Sequence, residues 1–267
     1  MVKKPNIIGI IGGTGRMGQW FKVFFEKKGY EVLISSRRTQ LSNKELAQKS
    51  DVVIISVPIK VTIEIIKEVG PYISQEALLM DITSLKKAPV KAMLKYSNSE
   101  VIGAHPLFGP SINSLNDQTI ILCPARGDTW MPWLKEVFKE AHLEITTPEK
   151  HDQIMSIIQA LTHFFLLGFA ITLKEAPFPM GTLMRYATPN FQIICQQVLN
   201  LNNQNPEIYA SIQFDNSFYH EQILPSCWKA LERLKRIIQH QDYEEFFKIF
   251  YQLGDLFENY KEKSNLK

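Results

Sequence analysis

The sequence is poor in the residues that mark several classes of protein. It has only three cysteines in 267 residues, and their wide spacing matches neither a disulfide framework nor a metal site. Neither sign of charge dominates, because 30 basic residues are offset by 27 acidic ones. The charge balance gives no global attraction to nucleic acid or to acidic membranes. We therefore expect a protein of a reducing compartment, the cytoplasm, with no nucleic-acid partner and no metal.

Long uninterrupted apolar runs are also scarce. The apolar run near the N-terminus stops at Ile11, where glycines begin, and no signal-peptide cleavage site closes it. The apolar segment 154–173 is interrupted by Gln159, His163 and Gly168, so it falls short of the ~18 apolar residues that a membrane helix needs. The sequence therefore predicts a soluble protein without a membrane span.

Short β-branched runs alternate with amphipathic stretches up to about residue 148. The runs predict strands at residues 7–11, 31–35, 51–57, 77–82, 100–104 and 119–122. Such alternation is typical of βαβ units, which form a mostly parallel sheet with helices on both faces. We expect residues 1–148 to form an α/β, Rossmann-type dinucleotide-binding domain.

The pattern changes after Pro148, where apolar residues recur at three- and four-residue spacings. Helices are expected around residues 149–175, 180–200, 206–216, 218–240 and 242–262. The first of these is apolar on nearly every side, so it must be buried in the chain or against a second copy. We expect residues 149–267 to form an all-α dimerisation and substrate domain of a homodimer. The central helix of a monomeric bundle is the alternative.

A glycine-rich turn follows the first predicted strand and precedes the amphipathic segment 17–28. Gly13, Gly15 and Gly18 form a G-x-G-x-x-G motif. We expect Gly13 to take the turn, Gly15 to admit a pyrophosphate and Gly18 to let the helix pack on the strand. The alternative is a tight turn without a ligand. The predicted cofactor-binding residues of this turn are Gly13, Thr14, Gly15, Arg16, Met17 and Gly18.

The end of the second predicted strand indicates which dinucleotide is bound. A carboxylate there would bind the ribose 2′-hydroxyl of NAD, but this chain has Ser36, Arg37 and Arg38. A hydroxyl and two guanidiniums suit a 2′-phosphate, so we expect NADP. NAD remains the alternative, because Arg37 can stack on adenine and both arginines can solvate a loop. At the end of the third strand, the residues expected to border the cofactor are Ser56, Val57 and Pro58.

Two loops after later strands carry polar groups toward the same edge of the sheet. The imidazole of His105 has an ordinary pKa near neutrality, so it can take a proton from a substrate hydroxyl while a hydride leaves the same carbon. Ser84 can hold His105 in the required tautomer, and Lys86 can steady the loop or meet an acidic substrate. Helix capping and a solvated lysine are the alternatives. His163, on an apolar helix, needs either an internal partner or a ligand cavity.

Together these motifs resemble the prephenate dehydrogenase (TyrA) family over nearly the whole chain, most of all the dehydrogenase part of the bacterial bifunctional chorismate mutase/prephenate dehydrogenase. The resemblance rests on the segments 12–18, 51–58, 81–86, 105–109, 151–152, 158–164 and 206–210. It implies a dinucleotide domain, a helical dimerisation domain and an active site in the cleft between them. It also implies that His105 is the catalytic histidine, Ser84 the orienting serine, Lys86 the family lysine and His163 the histidine of the substrate cleft.

The reaction implied by this resemblance is the oxidative decarboxylation of prephenate to 4-hydroxyphenylpyruvate in tyrosine biosynthesis, with hydride transfer to NAD(P). Loss of carbon dioxide makes the ring aromatic, so no metal is required. Two positions where the family usually has an arginine hold Gln192 and Asn200, which leaves Arg185 or Arg126 as substitutes. Arogenate and 4-amino-4-deoxyprephenate are therefore alternative substrates.

Two further functions fit parts of the sequence. The Gly-Gly-Thr-Gly turn with the serines and arginines of residues 35–38 is similar to the NADP domain of the deazaflavin-dependent NADP reductases. That likeness explains neither the His105 loop nor the helical half. The other function is an NADP-binding sensor without turnover, against which the presence of His105, Ser84 and His163 argues.

Overall fold

A computed structural model describes residues 3–264 and joins seven strands of this part of the chain into one sheet. The order across the sheet is β2-β1-β3-β4-β5-β6-β7. The strands are β1 (Ile7–Ile11), β2 (Glu31–Ser35), β3 (Val52–Ile55), β4 (Leu78–Asp81), β5 (Glu100–Pro106), β6 (Thr119–Arg126) and β7 (His142–Ile145).

The predicted mostly parallel sheet is confirmed. The first five strands pair in parallel, β6 runs antiparallel to β5, and β7 runs parallel to β6. All residues of β3 and β4 are buried, as expected for strands covered on both faces. The sequence analysis missed β7, because its residues are mostly exposed and half of them are polar, which conceals a strand pattern.

Five helices of the first half pack on the two faces of the sheet. They are α1 (Arg16–Lys27), α2 (Asn43–Lys49), α3 (Ile59–Val69), α4 (Lys87–Tyr96) and α5 (Met131–Val137). Two apolar cores result: Phe21 and Phe25 of α1 join Trp133 of α5 in one, and Ile66 of α3 joins Met93 of α4 in the other. These cores fix the sheet, and with it the loops at the ends of its strands.

The predicted helical second half is also confirmed. It begins with α6 (Pro148–Met155), which continues through a π-helical segment (Ser156–Leu161) into α7 (Thr162–Glu175). Then follow α8 (Met180–Arg185), α9 (Pro189–Asn202) and α10 (Pro206–Phe214). Prolines occupy the first turns of α6, α9 and α10, where the missing N–H costs nothing, and Thr147, Thr188 and Asn205 cap these helices. The expected single helix at 180–200 is two helices, α8 and α9.

The long helix Pro148–Glu175 is apolar but little covered by the rest of the chain, with 17% of its most apolar stretch buried. None of the residues of α7 is buried within the chain. Among the described residues it is the one helix long and apolar enough to cross a membrane, with a mean hydropathy of 1.9 over its best window. The expectation that no segment is long and apolar enough to span a membrane is wrong by this measure of length and composition. Gln159 and His163 interrupt the apolar run, but they lower its mean hydropathy too little to exclude the helix.

The chain divides into two compact units, with the boundary between Tyr219 and His220. This boundary falls within a short π-helical turn (Tyr219–Ile223), and the second unit contains α11 (Leu224–Gln239) and α12 (Tyr243–Ser264). Gln241 joins these helices in the left-handed region, with φ of 53°, and Arg233 of α11 pairs with Glu245 of α12. The sheet ends at Ile145, and the domain boundary expected after residue 148 stays a prediction.

Candidate active site

A cleft of about 490 Å³ lies in the first unit, at the carboxyl ends of β1, β3, β4 and β5. This is the edge at which open parallel sheets bind ligands, because the loops after their strands meet there. The loops contribute residues 15–17, 56–60, 82–84 and 105–110 to the lining. The helical segments contribute the other side, which includes Gln159, His163, Gln204, Asn205, Glu207 and Tyr209.

The glycine turn has the geometry of a phosphate cradle, with one change in the assignment of its glycines. The left-handed residue is Gly12, with φ of +82°, and not Gly13 as expected. Gly13 has no space for a side chain, since a Cβ there would lie 2.5 Å from the Cβ of Ile34. A Cβ at Gly18 would lie 2.5 Å from the carbonyl oxygen of Gly12, so glycine here lets α1 pack closely on the turn.

The first turn of α1 is open to an anion. Its N-cap is Gly15, which has no side chain to accept the free backbone N–H groups of that turn. Gly15, Arg16 and Met17 line the cleft, so these N–H groups and the positive end of the helix dipole are available there. The residues present therefore fit a dinucleotide pyrophosphate.

The loop after β2 lies outside the lining of the cleft. The Ser36 hydroxyl oxygen accepts the backbone N–H of Arg38 at 3.1 Å, which shapes the loop into a turn. Arg37 and Arg38 are exposed, and neither forms an ion pair within residues 3–264. Both guanidiniums are thus available to an external anion. By contrast, Ser56, Val57 and Pro58 line the cleft.

His105 lies at the end of β5 and is only 3% exposed, yet it lines the cleft. Its Nδ1 is 2.9 Å from Nε2 of His151, and Nδ1 of His151 is 2.7 Å from Oδ1 of Asp152. On the other edge of the ring, Nε2 of His105 is 3.4 Å from the amide nitrogen of Gln159. Burial, followed by the nearby His151 and Lys86, holds the pKa of His105 well below its ordinary value. The imidazole is therefore neutral at physiological pH.

Ser84 lines the cleft, but the expected contact in which Ser84 orients His105 is not formed. The hydrogen-bonding partners of the His105 ring are His151 and Gln159, and no bond to Ser84 is present in the described part of the chain. The physical reason is position: His151 enters from α6 and occupies the Nδ1 side of the ring. Ser84 remains a polar residue of the cleft wall, available to a ligand.

Lys86 is neither solvated nor part of the cleft lining, so of its expected roles the contact with a substrate is not supported and a bracing role is. Its side chain is fully buried, pairs with Asp81 at the end of β4 and donates to the carbonyl oxygen of Ala104 at 2.7 Å. A buried ammonium needs such a carboxylate partner. Lys86 thus braces the strand that carries His105 and does not meet the substrate.

Sequence reasoning assigned no role to Asp152 or Gln159. Asp152 accepts the backbone N–H of Lys86 at 2.8 Å and that of Lys87 at 3.0 Å, so it caps α4 from another helix. Gln159 lies in the π-helical segment, and π-bulges occur often at functional sites. One sequence feature could have indicated a role for Asp152: it stands next to His151 in the first turns of a helix that begins with Thr147-Pro148.

His163 lines the cleft, which is the second of the two environments expected for it, an internal partner or a ligand cavity. Its ring packs edge-on against Tyr209 with 4.6 Å between ring centroids, and its buried Nδ1 has no hydrogen-bond partner among the residues that the structure describes. Burial lowers the pKa of His163, so it too favours the neutral form. An unpaired ring nitrogen at a cleft wall is suited to a ligand hydrogen bond.

The arginine positions considered in the sequence lie away from the cleft. Gln192 and Asn200 do not line it. Arg126 lies beside the start of β5, at the end opposite the cleft, and donates to the carbonyl oxygens of Ser97 and Leu94. Arg185 is exposed on α8 and does not line the cleft. Neither arginine is therefore placed to bind a substrate carboxylate. The basic side chains of the lining are instead Arg16 and Lys60, both on the sheet side.

A dinucleotide-type glycine turn and a neutral, buried imidazole in the same cleft define a dinucleotide-dependent dehydrogenase. Two family models cover most of the chain: "Prephenate dehydrogenase, nucleotide-binding domain" matches residues 27–147, and "Prephenate dehydrogenase, dimerization domain" matches residues 147–252. The chain belongs to the prephenate dehydrogenase family.

Individual relatives agree with this assignment. The "Probable arogenate/prephenate dehydrogenase" of Methanocaldococcus jannaschii is 36% identical over 93% of this chain, and the T-protein of Haemophilus influenzae is 30% identical over 95%. This chain spans 60% and 68% of their respective lengths. The Aquifex aeolicus prephenate dehydrogenase in complex with hydroxyphenyl propionate and NAD+ has the same fold, with a TM-score of 0.79, 19% identity and coverage of 97% and 99% of the two chains.

Proposed function

We propose that this protein catalyses the oxidative decarboxylation of prephenate to 4-hydroxyphenylpyruvate. The observation that carries the proposal is the position of His105: a neutral ring with one nitrogen directed at Gln159 and the cleft, in a cavity that also reaches the glycine turn. The family models support the reaction class.

In this mechanism the bound dinucleotide supplies the hydride acceptor. His105 accepts a hydrogen bond from the ring hydroxyl of the substrate and takes its proton as the hydride leaves the carbon that bears the hydroxyl. The bond between the ring and its carboxylate then breaks, carbon dioxide leaves, and the bonding electrons complete the aromatic ring and place a negative charge on the former hydroxyl oxygen. That oxygen takes the proton back from His105, which gives the phenol of the product and restores the neutral base. Ser84 and His163 line the cleft within reach of a substrate and contribute polar contacts to it.

We further propose NADP as the preferred dinucleotide. The loop after β2 carries no carboxylate to bind a ribose 2′-hydroxyl, and Arg37 and Arg38 are free of ion pairs in the described residues. Ser36 holds the backbone of that turn through Arg38. NAD, which the Aquifex structure contains, is the alternative.

The proposed assembly is a cytoplasmic homodimer, with residues 1–148 as the dinucleotide domain and 149–267 as the dimerisation domain. The apolar side chains of α7 are uncovered within the chain, and α7 lies inside the segment matched by the dimerisation model. A second copy is the partner that this match favours.

A second candidate substrate is arogenate, which carries an amine where prephenate carries a keto group. The helical side of the cleft contributes the carboxylate of Glu207, whereas the basic lining residues Arg16 and Lys60 belong to the sheet side. A carboxylate near the substrate side chain favours an ammonium group. The two substrates differ in this group alone.

A direct assay tests these assignments together. The purified chain is mixed with prephenate, arogenate or 4-amino-4-deoxyprephenate and with NADP or NAD, and reduced nicotinamide is followed by its near-ultraviolet absorbance. We expect the largest kcat/KM with prephenate and NADP. A larger kcat/KM with arogenate, reduced by Glu207→Gln, would establish the second candidate. No reduction of either dinucleotide with any of the three acids would overturn the enzymatic function.

A further inference from the structure

The hydrogen bonds around His105 determine where its proton resides. At one end of the chain of bonds, the Asp152 carboxylate is held by two backbone N–H groups, those of Lys86 and Lys87. An ionised carboxylate can only accept hydrogen bonds. The 2.7 Å contact between its Oδ1 and Nδ1 of His151 therefore requires that this nitrogen of His151 carries the proton.

The same reasoning extends one step further along the chain. A neutral imidazole carries one N–H, so His151 with a proton on Nδ1 has only a lone pair on Nε2. That lone pair is 2.9 Å from Nδ1 of His105, which must then be the protonated nitrogen of His105. The remaining nitrogen of His105, Nε2, is left with its lone pair on the side of Gln159.

Two of these groups are fully or nearly fully withdrawn from water. His151 has no exposed surface and His105 has 3%. Water therefore cannot supply alternative hydrogen bonds that would allow the rings to exchange tautomers. Gln159 is consistent with this arrangement, because its amide N–H can donate to the Nε2 lone pair in the absence of a substrate.

We propose that His151 and Asp152 are positioning residues that keep His105 in the Nδ1-protonated tautomer and so present Nε2 as the base. The proposal rests on the proposed function, in which Nε2 takes the hydroxyl proton. That proton gives His105 a positive charge, and the Nδ1–H bond to His151 then shares this charge with the second ring. The Asp152 carboxylate at the far end compensates for it. The two electrons leave the substrate with the hydride, which the bound dinucleotide would accept. His105 gains only a proton, and neither His151 nor Asp152 is oxidised or reduced.

The test combines nitrogen NMR of the protein labelled in its histidines with steady-state kinetics. In the wild type we expect the His105 ring to show a protonated Nδ1 and an unprotonated Nε2 at neutral pH. His151→Phe retains a buried ring without an acceptor, so His105 should become a mixture of tautomers. We expect kcat to fall about 100-fold, with KM and dinucleotide affinity nearly unchanged. His151→Gln, whose amide oxygen can accept from Nδ1, should recover part of kcat and the tautomer.

Gln153→Ala, an exposed neighbour on the same helix, is the matched control and should behave as the wild type. If His151→Phe does not fold, Asp152→Asn tests the same chain, because an amide no longer requires the proton on His151. A protonated Nε2 in the wild type, or wild-type kcat in every folded variant, would overturn the proposal. The NMR result stands without a substrate, so its failure is distinguishable from that of the proposed reaction.

Discussion

The central strands of the sheet and the long helix that follows it differ in how far their apolar residues are buried. Every residue of β3 and β4 is buried by the chain itself, whereas α7 is similarly apolar and buries none. Free energy is gained only from apolar surface that is removed from water. The apolar residues of the central strands are therefore covered within one chain, whereas those of α7 require a partner outside the chain to cover them.

The largest effect is expected in the sheet half, at the residue proposed to carry the chemistry. His105→Asn should reduce kcat by roughly 100- to 10,000-fold, the usual cost of removing a general base. Dinucleotide affinity should remain nearly unchanged, since the glycine turn belongs to a different loop. Stopped-flow turnover and dinucleotide binding by fluorescence measure the two effects. Turnover equal to that of the wild type would remove His105 from the mechanism.

The second prediction addresses the uncovered helix. Ile171 of α7 is 58% exposed within the chain, so a charge there does not disturb a monomer, but it would be desolvated in a dimer interface. We expect Ile171→Glu to weaken dimerisation by at least 10-fold, measured by sedimentation velocity over a range of concentrations. The exposed Lys174→Glu on the same helix controls for charge. An unchanged dimer in Ile171→Glu would place the interface elsewhere.

The third prediction returns to the sheet half, at the loop after β2. Arg37→Ala combined with Arg38→Ala should raise the Kd for NADP by about 10- to 100-fold and that for NAD by less than about 3-fold, because only NADP has a charge for these guanidiniums to bind. Isothermal titration with both dinucleotides gives the ratio. Equal weakening of both would show that the arginines do not recognise the 2′-phosphate.

The same contrast explains what could be predicted from the sequence. Short apolar runs mark strands, so β1 and β2 have the predicted bounds, and Pro148 and Pro206 mark the starts of α6 and α10. The start of α9 at Pro189 was not predicted, because this proline lies inside the single helix expected at 180–200. The glycine turn and His105 were found because local spacing reveals them.

Interactions between distant segments could not be predicted in this way. The hydrogen bond between His151 and His105 joins residues 46 positions apart, and the buried Lys86 pairs with Asp81 at the end of β4. A lysine or serine beside a motif has the same sequence signature whether it contacts a substrate or braces a strand. Only the packing of α6 on the sheet decides between these roles.

The smallest expected effect is a shift in the pH dependence of kcat/KM. It tests whether His105, the proposed base, is withdrawn from water as completely as the apolar residues of the sheet. Burial, His151 and Lys86 lower the pKa of His105 well below its ordinary value near 6.5, while Asp152 and Asp81 are the carboxylates that face this cluster. The base acts in its neutral form, so kcat/KM should stay level as the pH falls to about 6.5 and decline only below it.

Stability should follow the same direction. The folded state binds the proton of His105 more weakly than the unfolded state does, so this contribution to stability is present above the unfolded pKa and is lost as the pH falls below it. Thermal unfolding of the wild type and of His105→Asn between neutral and mildly acidic pH isolates the contribution, which should be smaller in the variant. A kcat/KM decline centred on the ordinary imidazole pKa would mean that water reaches His105, and the contrast between a closed sheet half and an open helix would then fail at the base itself.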